Sequence, residues 1–433
     1  MSITLKFAKL EFIAIGVVLL ASVFGFGMIV FAACNLALAA LFIADWIGAP
    51  KAGCFAVTRE PGDKLCCRAE NVIGFSVSST HGKAVKLFLK DTPPDFRFSL
   101  DESDMAKVIP PSGRQGFSYI AIPMKRGSFL FEGVFCIAEG SLGLFRRRFF
   151  KKLPRDFKVY PDMRNLSKYR LMARNKRLLA PGPNRAKLRG AGVEFESLRE
   201  YVDGDDTRKL NWMASARQGK LMVNQYESEK NQPVFILVDA GRSMSSAAKG
   251  REKLDYSIEA ALILADIVNQ QGDVCGILVF DSAVKTIVMP GKGASHRTMC
   301  MDVLYNIEGV KSASDYEGAF LELMRRQKRS GLVFVFTDFE TPEEAKDISA
   351  ALSLLKKRHI PLLMLMESEG LRELADMKAK TEKEAFEKAA AARYLYEKES
   401  LCRSLGTRGC ACIRSEAGAF ALAAVNNYLA AKR

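Results

Sequence analysis

The sequence predicts a mixed α/β chain: a doubly wound sheet in its C-terminal half, preceded by an apolar helical hairpin and a small β-sandwich-like domain. Three observations carry this. Phe12 to Trp46 is apolar apart from Ser22, Asn35 and Asp45. Lys51 to Tyr160 holds short alternating apolar runs separated by Gly, Pro and Asp. From Gln232 onward, wholly apolar strand-like runs alternate with helix-period segments. The chain therefore divides into 1–49, 50–160, 161–231 and 232–433.

The apolar segment is longer than one upright span needs, and a single tilted span, which would export the bulk of the chain, is the alternative to a hairpin. Thirty-five residues as a single helix would run about 52 Å, and a bilayer core is about 30 Å thick. Two short helices turning near Gly25-Phe26-Gly27 resolve the excess, with Lys6 and Lys9 reaching the surface. Both chain ends then lie on one side. Lys6, Lys9, Lys51 and the later basic residues favour the cytoplasmic side.

In the next region Gly74-Phe-Ser-Val-Ser, Val85-Lys-Leu-Phe-Leu, Tyr119-Ile-Ala-Ile-Pro and Ser128-Phe-Leu-Phe read as strands of a small sandwich. Beyond a polar, basic connector, Pro233–Asp239, Val274–Phe280, Leu332–Phe336 and Ile360–Met366 read as buried strands. Val284–Met289 forms an edge hairpin, and Cys410–Ile413 a last short strand. Helices are expected over Arg251–Gln271, Ser295–Asn306, Tyr316–Gln327, Pro342–Lys357 and, as one long element, Gly370–Leu405. Such alternation means a parallel sheet covered on both faces.

The net charge of +15 is concentrated between Leu144 and Gly190, which hold sixteen Lys/Arg against Asp156 and Asp162. An anionic lipid surface is the simpler partner for that strip in an anchored chain. Nucleic acid is the alternative, since Phe145, Phe149, Phe150, Phe157, Tyr160 and Tyr169 are interleaved with the basic residues. The ten Cys lack zinc-type spacing and read as free, reduced thiols.

Two carboxylates stand at the carboxyl ends of separate buried strands, Asp239 and Asp338. If the strands are neighbours, both face one crevice. The run Asp239-Ala-Gly241-Arg-Ser243 resembles the metal-ion-dependent adhesion site of von Willebrand factor type A domains, whose signature is Asp-x-Ser-x-Ser. The resemblance implies a Rossmann-like sheet. It also implies a Mg²⁺ or other divalent site at Asp239, Ser243, Ser314 and Asp338, with Gly241 replacing a usual Ser. Water would fill that vacancy.

A longer resemblance starts at Gly192. The run Gly192-Val-Glu-Phe-Glu-Ser-Leu-Arg-Glu-Tyr-Val-Asp-Gly-Asp-Asp-Thr-Arg-Lys-Leu-Asn-Trp-Met-Ala-Ser-Ala-Arg217 is similar to the hallmark of the bacterial family called domain of unknown function 58. Its notable residues are Glu194, Arg199, Asp203, Gly204, Asp205, Arg208, Trp212 and Arg217. Physically it reads as an ion-paired loop with a turn at Gly204. The resemblance implies a membrane-anchored, von Willebrand factor type A-like bacterial protein; with the side favoured by the Lys/Arg distribution, its place is the inner membrane with the soluble domains in the cytoplasm. It also implies a MoxR-type AAA+ ATPase partner and often a transglutaminase-like membrane protein.

Three function classes follow. The favoured one is a non-catalytic docking or scaffold protein, its binding switchable by a divalent ion. A metal-dependent hydrolase is the second, although His81, His296 and His359 lie on unlike elements without a neighbouring nucleophile in sequence. Nucleic-acid or lipid binding through the basic strip is the third.

Overall fold

The computed structural model describes residues 2–432 except 61, 94–97, 102–104, 163–165, 175–192, 203–204, 206, 208–209, 229–231, 249, 340, 368–369 and 408–409. The chain forms two compact units, Met1–Asp162 and Met163–Arg433.

The first unit opens with β1 (Ser2–Ile3), α1 (Leu5–Val23) and α2 (Gly27–Gly48). The two helices turn at Gly25, whose φ of 79° suits glycine. Among the described helices only α2 is long and apolar enough, by length and composition, to cross a membrane. At 1.5 Å per residue it spans about 33 Å. α1 carries Lys6, Lys9 and Glu11.

Among the described residues ten strands make two sheets. One runs β1–β10 (Phe145–Tyr160)–β9 (Gly127–Glu139)–β5 (Val85–Asp91)–β7 (Ala106–Ile109), with β3 (Lys64–Cys66) beside β10. The other runs β2 (Phe55–Arg59)–β4 (Asn71–Ser79)–β8 (Arg114–Pro123)–β6 (Phe98–Asp101). Alternate residues of both sheets, among them Phe75, Phe117, Leu87 and Phe131, share one core. Two sheets thus enclose one core.

Inside it Arg59 forks onto Asp91 at 2.9 and 3.0 Å, and the Tyr119 hydroxyl donates to the same carboxylate at 2.6 Å. The guanidinium also lies 4.9 to 5.3 Å from the ring centres of Phe75, Phe131 and Phe157.

The helical hairpin is tied to the β9–β10 turn. Asp45, 1% exposed at the end of α2, accepts from the backbone N–H of Leu142 (2.7 Å), Leu144 (2.8 Å) and Phe145 (3.0 Å). Gly140 permits this approach, because a Cβ there would collide with the Asp45 carboxylate. Arg147 donates to the carbonyls of Trp46 and Ala49, both at 3.2 Å, and so caps the last carbonyls of α2. At the other end the Thr4 hydroxyl donates to the Gly143 carbonyl at 2.7 Å.

The second unit begins with α3 (Leu166–Arg174) and a hairpin of β11 (Val193–Glu200) and β12 (Met222–Ser228). Between those strands lies α4 (Trp212–Gln218), capped by Asn211 and ended at Gly219 with φ 66°. The connector expected over 161–231 thus contains regular elements of its own.

The main sheet follows: β13 (Pro233–Asp239), β16 (Val274–Phe280), β17 (Val284–Gly291), β18 (Leu332–Thr337), β19 (Ile360–Glu367) and β20 (Ala411–Glu416). A small ribbon of β14 (Ala247–Ala248) and β15 (Arg251–Glu252) stands apart. The sheet order is β17-β16-β13-β18-β19-β20, parallel except for the edge strand β17. Numbered within the sheet this is 3-2-1-4-5-6, the doubly wound order.

Helices cover both faces. Val234, Ile236 and Val238 pack towards α5 (Lys253–Gln270) and α11 (Phe420–Ala431). Phe235 and Leu237 pack towards α7 (Tyr316–Arg326) and α8 (Pro342–Leu355). α6 (Ala294–Leu304) follows the edge hairpin.

Two expectations are corrected. The single helix over Gly370–Leu405 is two, α9 (Leu371–Asp376) and α10 (Glu382–Thr407). Thr381 starts the second: its hydroxyl accepts from the Glu384 N–H at 3.2 Å, and the Glu384 carboxylate reaches back to the Lys380 N–H at 2.7 Å. This reciprocal pair has the chemistry of a capping box. Cys402 of α10 and Cys412 of β20, read from sequence as free thiols, are joined by a disulfide.

Candidate functional site

The site lies where the strand order reverses. β13 and β18 are neighbours, with Val238 opposite Phe336, and so Asp239 and Asp338 stand at adjacent carboxyl ends. This is the switch point at which doubly wound sheets hold ligands. The adjacency expected from sequence is therefore present.

Asp239 is fully buried. Its Oδ1 accepts from the Gly241 N–H at 2.8 Å and the Ser314 hydroxyl at 2.5 Å. Its Oδ2 accepts from the Thr337 hydroxyl at 2.5 Å and the Tyr316 hydroxyl at 2.9 Å. Burial pushes the Asp239 carboxyl above its ordinary range, and the hydrogen bonds of Ser314, Thr337, Gly241 and Tyr316 offset this only in part. Burial, with the Asp239 charge second, pushes Tyr316 well above the usual phenol value. Gly241 has a local reason: a Cβ there would collide with Ser314 Oγ. The residue that departs from the adhesion-site signature thus makes room for Ser314 to reach Asp239 directly.

Asp338 is also fully buried, and its partners differ in kind. Lys253, in the first turn of α5, donates to Oδ2 at 2.7 Å. Lys398, in α10, donates to Oδ1, which also accepts from the Phe339 N–H at 2.9 Å. Burial holds the Lys398 ammonium below its usual value, with the Asp338 charge and hydrogen bond pulling the other way. Ser243 is buried in the 3-10 turn after β13, and its carbonyl accepts from Ser246 at 2.8 Å. Above these groups is a cavity of about 30 Å³ lined by Arg242, Ser243, Ala313, Ser314, Tyr316, Glu344 and Asp347. Arg242 and Glu344 pair across its rim at 2.6 Å.

The expected Mg²⁺ ligand set does not fit these neighbours. Asp239 and Ser314 are hydrogen-bonded, while on the neighbouring strand both Asp338 oxygens already accept from ammonium groups. Among the described residues no cluster of three His, Cys, Asp or Glu could hold a metal. Sequence reasoning missed Lys253, Lys398 and Tyr316. Lys398 sits in a Glu/Lys-alternating run that looks like a solvated face, whereas Tyr316 lies only two residues from Ser314.

The hallmark residues lie on the β11–β12 hairpin and α4. Arg199 donates to Asp205 at 2.6 Å, and Asp205 accepts from the Val202 N–H at 3.0 Å. Trp212 and its neighbour Met213 are 69% and 70% exposed at the start of α4, and Arg217 closes its last turn. Asp203, Gly204 and Arg208 lie outside the described residues, as does the Glu194 side chain. Of the basic strip, 175–190 lies outside them too.

Of the three His, His296 donates its Nε2–H to the Cys275 carbonyl at 2.7 Å. His359 is buried at the start of β19, where burial and Arg358 lower its basicity.

Solved structures resembling the chain include PapD-like domain 7 of human CEP192 (12% identical, 24% of this chain and 84% of that chain, TM-score 0.17). Another is the amoB cupredoxin domain of Nitrosocaldus yellowstonii (11% identical, 24% and 84%, TM-score 0.17). Among curated relatives, uncharacterized protein Rv1480 of Mycobacterium tuberculosis is 25% identical over 155 residues, 35% of this chain and 49% of that protein. Uncharacterized protein YeaD of Bacillus subtilis is 29% identical over 122 residues, 28% and 30%. The chain matches half or less of the length of these relatives. Residues 197–397 match the family described as protein of unknown function DUF58, which supports the assignment drawn from the Gly192–Arg217 run.

Proposed function

We propose that this chain is a membrane-anchored, non-catalytic docking protein whose C-terminal unit is von Willebrand factor type A-like. In this reading the hairpin of α1 and α2 sits in the bacterial inner membrane and the soluble units face the cytoplasm. The carboxyl-edge loops of the main sheet meet a protein partner, and a MoxR-type AAA+ ATPase is the partner class. A transglutaminase-like membrane protein is a second candidate partner, and the basic residues of β10 face anionic lipid.

One observation carries the reading. At the switch point, where a ligand is expected, all four carboxylate oxygens of Asp239 and Asp338 accept hydrogen bonds from the chain itself. The nearby cavity, lined in part by Ser243, Ser314 and Tyr316, is small, about 30 Å³. Such a site is a rigid floor under the exposed loop residues Arg242 and Ala313. The 3-2-1-4-5-6 order with its antiparallel edge supports the type A-like assignment.

The test is co-purification of the ATPase with the full-length chain from native membranes. Ala313→Arg, which places a long cation on the rim, is expected to abolish capture while leaving thermal unfolding unchanged. Undiminished capture would remove the edge loops from the reading. Turnover of phosphoesters that disappears in Asp239→Asn would favour a hydrolase instead.

A further inference from the structure

The strand-end site contains two cations of its own, and their surroundings are those of bound ions. Lys253 Nζ reaches Asp338 Oδ2 at 2.7 Å from helix α5, and its side chain is 3% exposed. Lys398 comes from α10, far away in the chain, and its side chain is 1% exposed. Besides Asp338 it meets the Met366 carbonyl at 3.5 Å. The ring centres of Tyr394 and Phe339 lie 4.7 and 5.4 Å from its nitrogen. A carboxylate, a carbonyl and two ring faces are the components of a cation site. Tyr394 is itself fixed, its hydroxyl donating to the Phe339 carbonyl at 3.0 Å.

On the neighbouring strand Asp239 takes three hydroxyls and one backbone N–H. Its ordinary place in an ion's shell is therefore used for holding Ser314, Tyr316 and Thr337.

We infer that this is an ammonium-filled site: Lys253 and Lys398 stand where a divalent ion would sit, and the site is complete without metal. The reason is competition. Mg²⁺ asks for about six oxygens around it. To gain Asp338 it must displace at least one ammonium, which would stay buried without its counter-charge. Gly241 agrees with the same reading, since it lets Ser314 close on Asp239 where a Ser would be placed to ligate. This inference does not depend on whether the edge loops dock a partner.

The test is Mn²⁺ titration of the full-length chain in detergent, read by electron paramagnetic resonance. The native chain is expected to show no uptake that Ser314→Ala changes. Saturable one-to-one uptake weakened by Ser314→Ala would overturn the inference. Lys253→Met/Lys398→Met, with cooperative melting as the check on folding, is expected to bind Mn²⁺ at least about tenfold tighter than the native chain. If the double variant does not fold, Lys398→Met alone carries the same expectation. A folded variant with no gain in Mn²⁺ affinity would also overturn it.

Discussion

Each unit buries a carboxylate with a cation against aromatic rings, but the two arrangements are balanced differently. In the sandwich, Arg59 and Asp91 meet one to one, fork to carboxylate, with three Phe rings around the guanidinium. At the carboxyl ends of the main sheet Asp338 faces two ammoniums, with two rings beside Lys398. The first pair is a closed unit inside a core. The second sets two cations on one carboxylate, at the place where doubly wound sheets meet their ligands. The difference teaches that one carboxylate here is indispensable while its cations are partly redundant.

Asp338→Asn should show the largest effect. It removes the carboxylate that two buried ammoniums share, and we expect a loss of about 4 kcal/mol or more in urea unfolding of the full-length chain. Arg59→Met, which strands Asp91 with only the Tyr119 hydroxyl and local backbone, should cost about 3 kcal/mol by the same measurement. Lys398→Met should cost no more than about 1.5 kcal/mol, since Lys253 still neutralises Asp338 and Met fills much of the volume. Equal losses for Arg59→Met and Lys398→Met would end the idea of redundancy.

Gly241→Ser sharpens the comparison from the neighbouring strand. The new Cβ collides with Ser314 Oγ, and overpacking of this kind costs about 1–3 kcal/mol. Adding Ser314→Ala should recover most of the loss in the melting temperature.

The smallest effect concerns acid. Burial alone would raise Asp266, but its hydrogen bonds to Arg170 and Arg297 outweigh that and hold it below the ordinary carboxylate value. For a lowered carboxyl the stabilisation is present above the unfolded-state pKa, near 4. It is lost as pH falls through the lower folded-state value. Asp239, raised by burial, has the opposite sign: its contribution falls as pH rises from about 4 through its folded-state value. Asp266→Asn should flatten the acid limb of the unfolding profile measured by circular dichroism. An unchanged limb would mean that the half-exposed arginines hold Asp266 too weakly to matter.

Much of the architecture was legible in the sequence because it rests on periodicity. Wholly apolar runs such as Phe235-Ile-Leu-Val cannot be half-exposed strands, and Asp239 and Asp338 mark where they end. The turn at Gly25 followed from the length of the apolar segment. What could not be read was long-range charge pairing. Lys398 lies between Glu397 and Glu399 in a run that looks solvated, and only the packing of α10 brings it to Asp338, 60 residues away in sequence. The break at Thr381 was missed for a different reason. The Ala/Glu/Lys composition favours helix throughout, so the capping pair of Thr381 and Glu384 was the only local sign of a new start.

Asp45 has a consequence for mechanics. Its three backbone partners, with Arg147 on one side and Thr4 on the other, fasten both ends of the helical pair to a single β-turn. The hairpin and the sandwich therefore have no free swivel between them. If α2 is the membrane span proposed above, a lean of that helix with lipid thickness is passed to the two-sheet body, like a rudder on its post.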